Sequence, residues 1–319
     1  MAAAVLAAAT SAFGAGDILG QVREHLGPAL SASDLLAQPG DEVSLEAGLK
    51  TALRVEGIEG KRIQFILGET IIGEARTDAG GAAAVRWKAP AAAGDYRVRI
   101  RIHPEDQPSD PIGGAELLVA VRPKDTPIVV VDLDHTVVGS GFAWVLLGDA
   151  KPMPGAGIVM QRLAAKHTVV YLTHRPDFLG TLSKRWLTDN GFPLGPVLTS
   201  SIGTLVAGSG PYKSARLEAL KRAFPNLALG IGDKPSDAKV YVDVGMRAIL
   251  ILRVDWSEDE PEKYEKLADE LAALPDTVQV VTNWSQIAAI CFSGASSPKR
   301  EMEDRLRQTA RDLRKRGRD

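Results

Sequence analysis

Val129-Val-Val-Asp-Leu-Asp-His-Thr136 is the stretch on which the reading of this chain turns. The β-branched run from Ile128 to Val131 predicts a buried parallel strand, because strands covered on both faces are apolar without interruption. It runs straight into two carboxylates, Asp132 and Asp134, two positions apart. In open α/β sheets ligands bind at the carboxyl ends of strands, so these acids stand where a site is expected. Asp132 is a candidate nucleophile and metal ligand, and Asp134 a candidate general acid and base. Taken alone, the pair reads equally well as a polar turn.

Three later segments shift that balance. His167-Thr-Val-Val-Tyr-Leu-Thr173 is a short apolar strand ending in a hydroxyl. Thr173 either caps the next helix or donates to a phosphoryl oxygen. Tyr212-Lys213-Ser214 opens an amphipathic helix that carries Leu217, Leu220 and Phe224. A lysine in a first turn is ordinarily solvated; beside a phosphate it would cancel charge. In Leu227-Ala-Leu-Gly-Ile-Gly-Asp233-Lys-Pro-Ser-Asp237 a strand runs through Ile231, and Gly232 permits a tight turn. Asp233 and Asp237 then flank the start of a helix. They either cap it or complete an oxygen-rich Mg²⁺ shell with Asp132. Each of the four lies at the end of a predicted strand or the start of the helix after it, where an α/β sheet places its ligands.

With those residues in view, 126–292 resembles a haloacid-dehalogenase-superfamily phosphatase, with all four motifs of that superfamily present. Tyr171-Leu-Thr-His-Arg-Pro176 and Gly230-Ile-Gly-Asp-Lys-Pro-Ser-Asp-Ala-Lys-Val-Tyr241 are similar to the lipin-type and actin-patch-type phosphatidate phosphatases. The same module occurs in phosphatidylinositol-transfer proteins, where it can lack the catalytic acids. His135 departs from the pattern, since lipins usually carry glycine there. Asp-Leu-Asp-His-Thr also occurs in RNA-polymerase-tail phosphatases, but their paired adjacent aspartates in the fourth motif are absent here. The resemblance implies an α/β fold: a Rossmann-like, doubly wound parallel sheet.

It also implies roles. Asp132 would attack the phosphorus and form a phospho-enzyme. Asp134 would protonate the leaving alcohol and then activate water. Thr136 would steady the loop beside the substrate, with His174 near the headgroup. Thr173 and Lys213 would hold the transferring phosphoryl group. Asp132, the backbone carbonyl of Asp134 and Asp233 would hold Mg²⁺, with Asp237 supporting the shell. Arg175 is left outside the catalytic set, since it could equally pair with a structural carboxylate.

The gaps between motifs bear on substrate size. Thr136 to Thr173 predicts a flap and one helix, about Pro154 to Lys166. Thr173 to Lys213 predicts one helix, about Phe178 to Asn190, and a short strand. Neither is long enough for a cap domain. An open site suits a large substrate, either a phosphorylated lipid at a bilayer or a phosphoprotein, and also admits soluble phosphomonoesters. Gly141-Phe-Ala-Trp-Val-Leu-Leu147 is apolar and falls in the flap, where it packs beneath or touches a membrane surface.

At 319 residues two domains are expected, and a hydrophobic content of 45% supplies a core for each. The net charge of −2 argues against binding nucleic acid through general electrostatics. The single cysteine, Cys291, excludes an intrachain disulfide and is expected in a helical core, Ile287 to Phe292.

The chain divides into four parts. Residues 1–39 are alanine-rich and predicted helical, with Ile18, Leu19, Val22 and Leu26 on one face. The first fifteen read either as a secretory signal lacking its basic region, which would place the protein outside the cytoplasm, or as a plain helical start. Residues 40–123 predict an all-β sandwich with strands at Asp41–Leu49, Arg62–Leu67, Ala82–Trp87, Tyr96–Ile102 and Glu116–Val121. Gly60 to Ala82 also resembles bacterial immunoglobulin-like repeats. Residues 126–292 alternate strand and helix. Residues 293–319 form a charged tail with a thin stripe of Met302, Leu306, Ala310 and Leu313, which is either a basic helix meeting anionic lipid or a solvated one. A non-catalytic binding module is the rival class, but such a module has no need for both Asp132 and Asp134.

Overall fold

The computed structural model describes residues 28–51, 56–139, 150–200 and 209–316. The flap segment 141–147 and the alanine-rich start lie outside them. Among the described residues eight strands come first: β1 (Ala29–Ala32), β2 (Leu35–Ala37), β3 (Glu42–Lys50), β4 (Arg62–Leu67), β5 (Thr70–Arg76), β6 (Ala82–Lys88), β7 (Gly94–Ile102) and β8 (Ala115–Val121). They form a three-stranded sheet, β1-β3-β6, and a five-stranded sheet, β2-β8-β7-β4-β5. Alternate residues of both sheets point into one shared core, among them Leu45, Leu49, Ile63, Phe65, Val98, Ile100, Leu117 and Val119.

Two expectations change here. Residues 29–32 and 35–37 are strands rather than part of a helical leader, so the boundary placed at 39/40 moves toward the N-terminus. Short Ala/Leu/Ser stretches carry little preference of their own, and the pairing of Ala29–Ala32 with Ala47–Lys50 decides their state. β5 was not foreseen as a strand. It is a mostly exposed edge strand containing Gly73, and the missing side chain there leaves room for Val85.

The second region begins with β9 (Ile128–Val131), then α1 (Ala156–Ala164), β10 (Thr168–Pro176), α2 (Gly180–Asp189), β11 (Val197–Ser200), α3 (Ser209–Ala223) and β12 (Leu227–Gly232). It continues through α4 (Pro235–Asp243), β13 (Arg247–Ile251), α5 (Pro261–Ala272), β14 (Gln279–Val281), α6 (Trp284–Ser293) and α7 (Lys299–Arg316). The six strands are all parallel, in the order β11-β10-β9-β12-β13-β14. Numbered from β9, this is 3-2-1-4-5-6, the doubly wound order whose direction reverses beside its first strand. β9 is buried on both faces. Ile128 and Val130 enter the core under α3, α4, α5 and α7, while Val129 and Val131 enter the core under α1, α2 and α6.

The predicted charged tail is not free. Met302, Leu306 and Ala310 of α7 are buried with Tyr264, Ala268 and Leu271 of α5. Arg307 pairs with Asp269, and Arg314 with Glu262 and Glu265. The apolar stripe therefore belongs to the core and is not a lipid-facing surface. Cys291 is half-buried on α6 rather than fully in the core, and burial raises its thiol pKa. Among the described residues no helix is long and apolar enough to cross a membrane.

The two regions meet through Asp34, 2% exposed, in the corner between β1 and β2. Its carboxylate accepts from the Leu118 N–H on β8, the Val197 N–H on β11 and the Lys184 ammonium on α2, at 2.8, 2.9 and 2.6 Å. Lys50–Asp177 and Arg122–Thr168 contacts flank it.

Candidate active site

β9 delivers Asp132 to the carboxyl edge of the sheet, where its backbone N–H still pairs with the Ile231 carbonyl of β12 at 2.9 Å. The reversal of strand order falls between these two strands, so Asp132 faces the loop that follows β12. That loop carries Asp233, and the first turn of α4 carries Asp237. One oxygen from each of the three carboxylates lies within 4.8 Å of the others.

Lys213, in the early part of α3, reaches into this cluster. Its ammonium donates to Asp132 Oδ1 and to Asp237 Oδ1, both at 2.7 Å. All three side chains are buried. Burial alone would lower the Lys213 pKa, but Asp132 and Asp237 outweigh it and hold the pKa well above its ordinary value. One ammonium does not neutralise three carboxylates. Burial pushes Asp132 up to about 6; Lys213 opposes the rise and Asp237 adds to it. Burial, then the charges of Asp132 and Asp237, push Asp233 up to about 7. Clustered oxygen donors with excess negative charge fit a hard divalent ion such as Mg²⁺.

Gly232 is required for this assembly. A Cβ there would stand 2.7 Å from the Asp237 Cβ. Gly230 is equally constrained, since a Cβ would enter the Tyr241 ring at 2.2 Å.

Asp134 stands apart from the three and meets Arg175. The guanidinium donates from Nε to Oδ2 at 3.0 Å and from Nη2 to Oδ1 at 2.7 Å, while Nη1 donates to Ser183 Oγ at 2.9 Å. A bidentate arginine fixes both the position and the plane of a carboxylate. Sequence reasoning left Arg175 outside the site. The signal was Thr173-His-Arg-Pro176, but nothing local shows which acid a buried arginine will meet.

Thr136 is fully buried. Its carbonyl accepts from Trp284 Nε1 at 2.8 Å, and its hydroxyl has no partner among the described residues. Thr173 is buried too, its hydroxyl accepting from the Arg175 N–H at 3.3 Å. His174 packs its ring against Tyr212, with centroids 5.7 Å apart. The structure thus gathers Asp132, Asp233, Asp237 and Lys213, holds Asp134 beside them through Arg175, and gives Thr136, Thr173 and His174 packing or backbone contacts.

Residues 129–254 match the family model of the LNS2 domain of PITM 1-3. The match covers under half of the chain and includes every acid above. It relates the site-bearing region to a lipid-associated domain of the phosphatase type. No curated protein matches the chain. Among solved structures, a Mesorhizobium loti protein assigned as a HAD-like phosphatase is 14% identical, over 68% of this chain and 95% of its own, with a TM-score of 0.37. Fibronectin(III)-like modules of Clostridium thermocellum CbhA are 16% identical over 30% of this chain and 95% of theirs, at a TM-score of 0.20. The Yersinia pseudotuberculosis adhesin InvE is 10% identical over 34% of this chain and 31% of its own, at 0.23. Likenesses this distant support no inference about function.

A pH-dependent response to magnesium is expected. Asp132 and Asp233 have folded pKa values above the unfolded value of about 3.9. Their contribution to stability is therefore fully present below that value and is lost as pH rises through about 6 to 7. A bound divalent ion offsets the loss by cancelling the repulsion. Magnesium should raise Tm more at pH 8 than at pH 5.5. Equal shifts at both pH values would show that the ion binds elsewhere.

Proposed function

We propose that this chain is a magnesium-dependent phosphatase of the haloacid-dehalogenase type. On this reading it hydrolyses a lipid phosphomonoester, phosphatidate or a related phospholipid, through an aspartyl-phosphate on Asp132. The observation that carries the reading is the buried Lys213 ammonium bridging Asp132 and Asp237, with Asp233 alongside, at the strand-order reversal of a doubly wound sheet.

Asp132 Oδ2 attacks phosphorus in line, forming the acyl-phosphate bond as the ester bond to the alcohol breaks. Asp134 supplies the proton taken up by the leaving alkoxide. It then takes a proton from water as that water attacks phosphorus, which releases phosphate and restores the Asp132 carboxylate. The two Arg175 contacts hold Asp134 as an acceptor, the form needed for the water step; as a proton donor it gives up one of them. Lys213 balances charge on Asp132 and the phosphoryl oxygens. Thr173 and His174 lie on the β10 side of the phosphoryl group, and Thr136 fixes the loop through its Trp284 contact. A magnesium ion held by Asp132, the Asp134 carbonyl, Asp233 and Asp237 would supply the remaining positive charge on the phosphoryl oxygens.

The lipid assignment rests on the LNS2 match. The gaps between motifs agree with it, since their described residues hold only α1 and α2 as α-helices before α3. We read the two-sheet region as an immunoglobulin-like accessory domain that orients the site. The test is magnesium-dependent phosphate release from phosphatidate in mixed micelles, beside p-nitrophenyl phosphate and a phosphopeptide. Asp132→Asn should reduce release to background. Turnover of the soluble substrates alone would keep the mechanism and remove the lipid. No release from any of them would remove the enzyme and favour a binding module.

A further inference from the structure

The loops that leave β9, β12 and β13 stand side by side at the carboxyl edge of the sheet. They carry His135, Lys234 and Arg253, all exposed. The buried cations of the site are committed, Lys213 to two carboxylates and Arg175 to Asp134 and Ser183. These three are different. None of them enters an ion pair among the described residues. Arg253 donates one Nη1–H to the Gly139 carbonyl, which ties it to the first loop. The His135 ring lies within electrostatic reach of Asp134 and also of Arg253 and Lys234; burial first, then those two cations, lower its pKa, so it serves here as a ring N–H donor beside the two charges.

The His135 backbone supplies an independent observation. Its φ is +58°, the only positive value at a non-glycine residue among those described. Glycine adopts this conformation without strain, and L side chains do so at a cost. Strained residues persist where the surroundings or the function require the side chain. This side chain lies within electrostatic reach of Asp134, the acid that the phosphatase reading sets beside the leaving alcohol.

We propose that His135, Lys234 and Arg253 form a subsite for a second anionic group on the leaving-group part of the substrate. The inference rests on the phosphatase reading and narrows its substrate. The class is a phosphomonoester whose alcohol carries a further phosphodiester, phosphate or carboxylate. That chemistry occurs in lipid headgroups and in soluble metabolites. Plain phosphatidate lacks it.

The experiment compares two substrate pairs with the full chain and magnesium. One pair is dioctanoyl phosphatidylglycerophosphate against dioctanoyl phosphatidate in matched micelles. The other is glycerate 3-phosphate against glycerol 3-phosphate. In at least one pair the doubly anionic member should be preferred about tenfold in kcat/KM, the size of one charge-assisted contact. The preference should lie mainly in KM and weaken with added salt. Arg253→Gln and His135→Gly should each bring the ratio toward one, with the magnesium-dependent rise in Tm confirming that each variant is folded. Preference confined to the lipid pair identifies a headgroup, and confined to the other pair a soluble substrate. Turnover with ratios at or below one in both pairs overturns the subsite while the phosphatase stands. A preference that Arg253→Gln leaves intact also overturns it. No turnover of any of the four overturns both.

Discussion

Lys213→Met should destabilise the protein by about 3–5 kcal/mol at pH 8, the usual result of removing one partner from a buried charge pair. Here the loss is compounded, because one ammonium serves both Asp132 and Asp237 at 2.7 Å. Methionine keeps much of the side-chain volume, so the effect is electrostatic rather than a packing defect. A fall in Tm of about 10 °C corresponds to this range for a chain of this size. The loss should shrink at pH 5. Both Asp132 and Asp233 have pKa values raised above the unfolded one, so they take up protons below about 6 to 7 and the excess negative charge around Asp237 falls. Adding Asp237→Asn to the variant should restore part of the stability, because it removes one of the stranded charges. Phosphatase activity should fall by about 10²–10³-fold or more, and the double variant should not recover it. Thermal denaturation at two pH values measures the first part. A loss that does not change between pH 5 and 8 would show that the lysine contributes packing alone.

Asp34→Ala should cost about 3–5 kcal/mol, although Asp34 lies outside the proposed chemistry. The substitution strands two buried backbone donors, Leu118 N–H and Val197 N–H, and leaves Lys184 without its counter-charge. Burial raises the Asp34 pKa; Lys184 and the two N–H groups work against the rise. The three donors come from β8, β11 and α2, so this one carboxylate joins the two-sheet region to the parallel sheet. Asparagine should not rescue the loss, since its amide nitrogen would face a donor. Hydrogen exchange at Leu118 and Val197 should accelerate ahead of global unfolding, and limited proteolysis should separate the two regions. Unchanged protection at both amides would show that other contacts carry the junction.

The positions of the acids were legible because they depend on local pattern. Ile128–Val131 could only be a strand buried on both faces, and its end placed Asp132 and Asp134. The Gly232 turn was visible for the same reason. The Asp237 side chain leaves no room for a Cβ at Gly232. β1, β2 and β5 were not legible. Their residues are indifferent to conformation until β3, β8 and β4 offer hydrogen-bonding edges. The stripe on α7 was seen, but its partner was not. A 3.6-residue period shows that a face is apolar without showing whether α5, lipid or water meets it.

By itself the sequence showed which chemical groups stand at strand ends and at the starts of the helices that follow: Asp132, Asp134, Asp233 and Arg175 at or just past strand ends, and Lys213 and Asp237 early in helices. It did so because strand and helix periods are short-range properties of the chain. Only the tertiary structure decided which of these groups meet. Asp132 joins Asp233 and Asp237 because β12 lies against β9 in the sheet. Asp134 meets Arg175 because β10 flanks β9 on the other side. Those pairings follow from strand order, a global outcome of packing two apolar faces under helices that no local segment specifies.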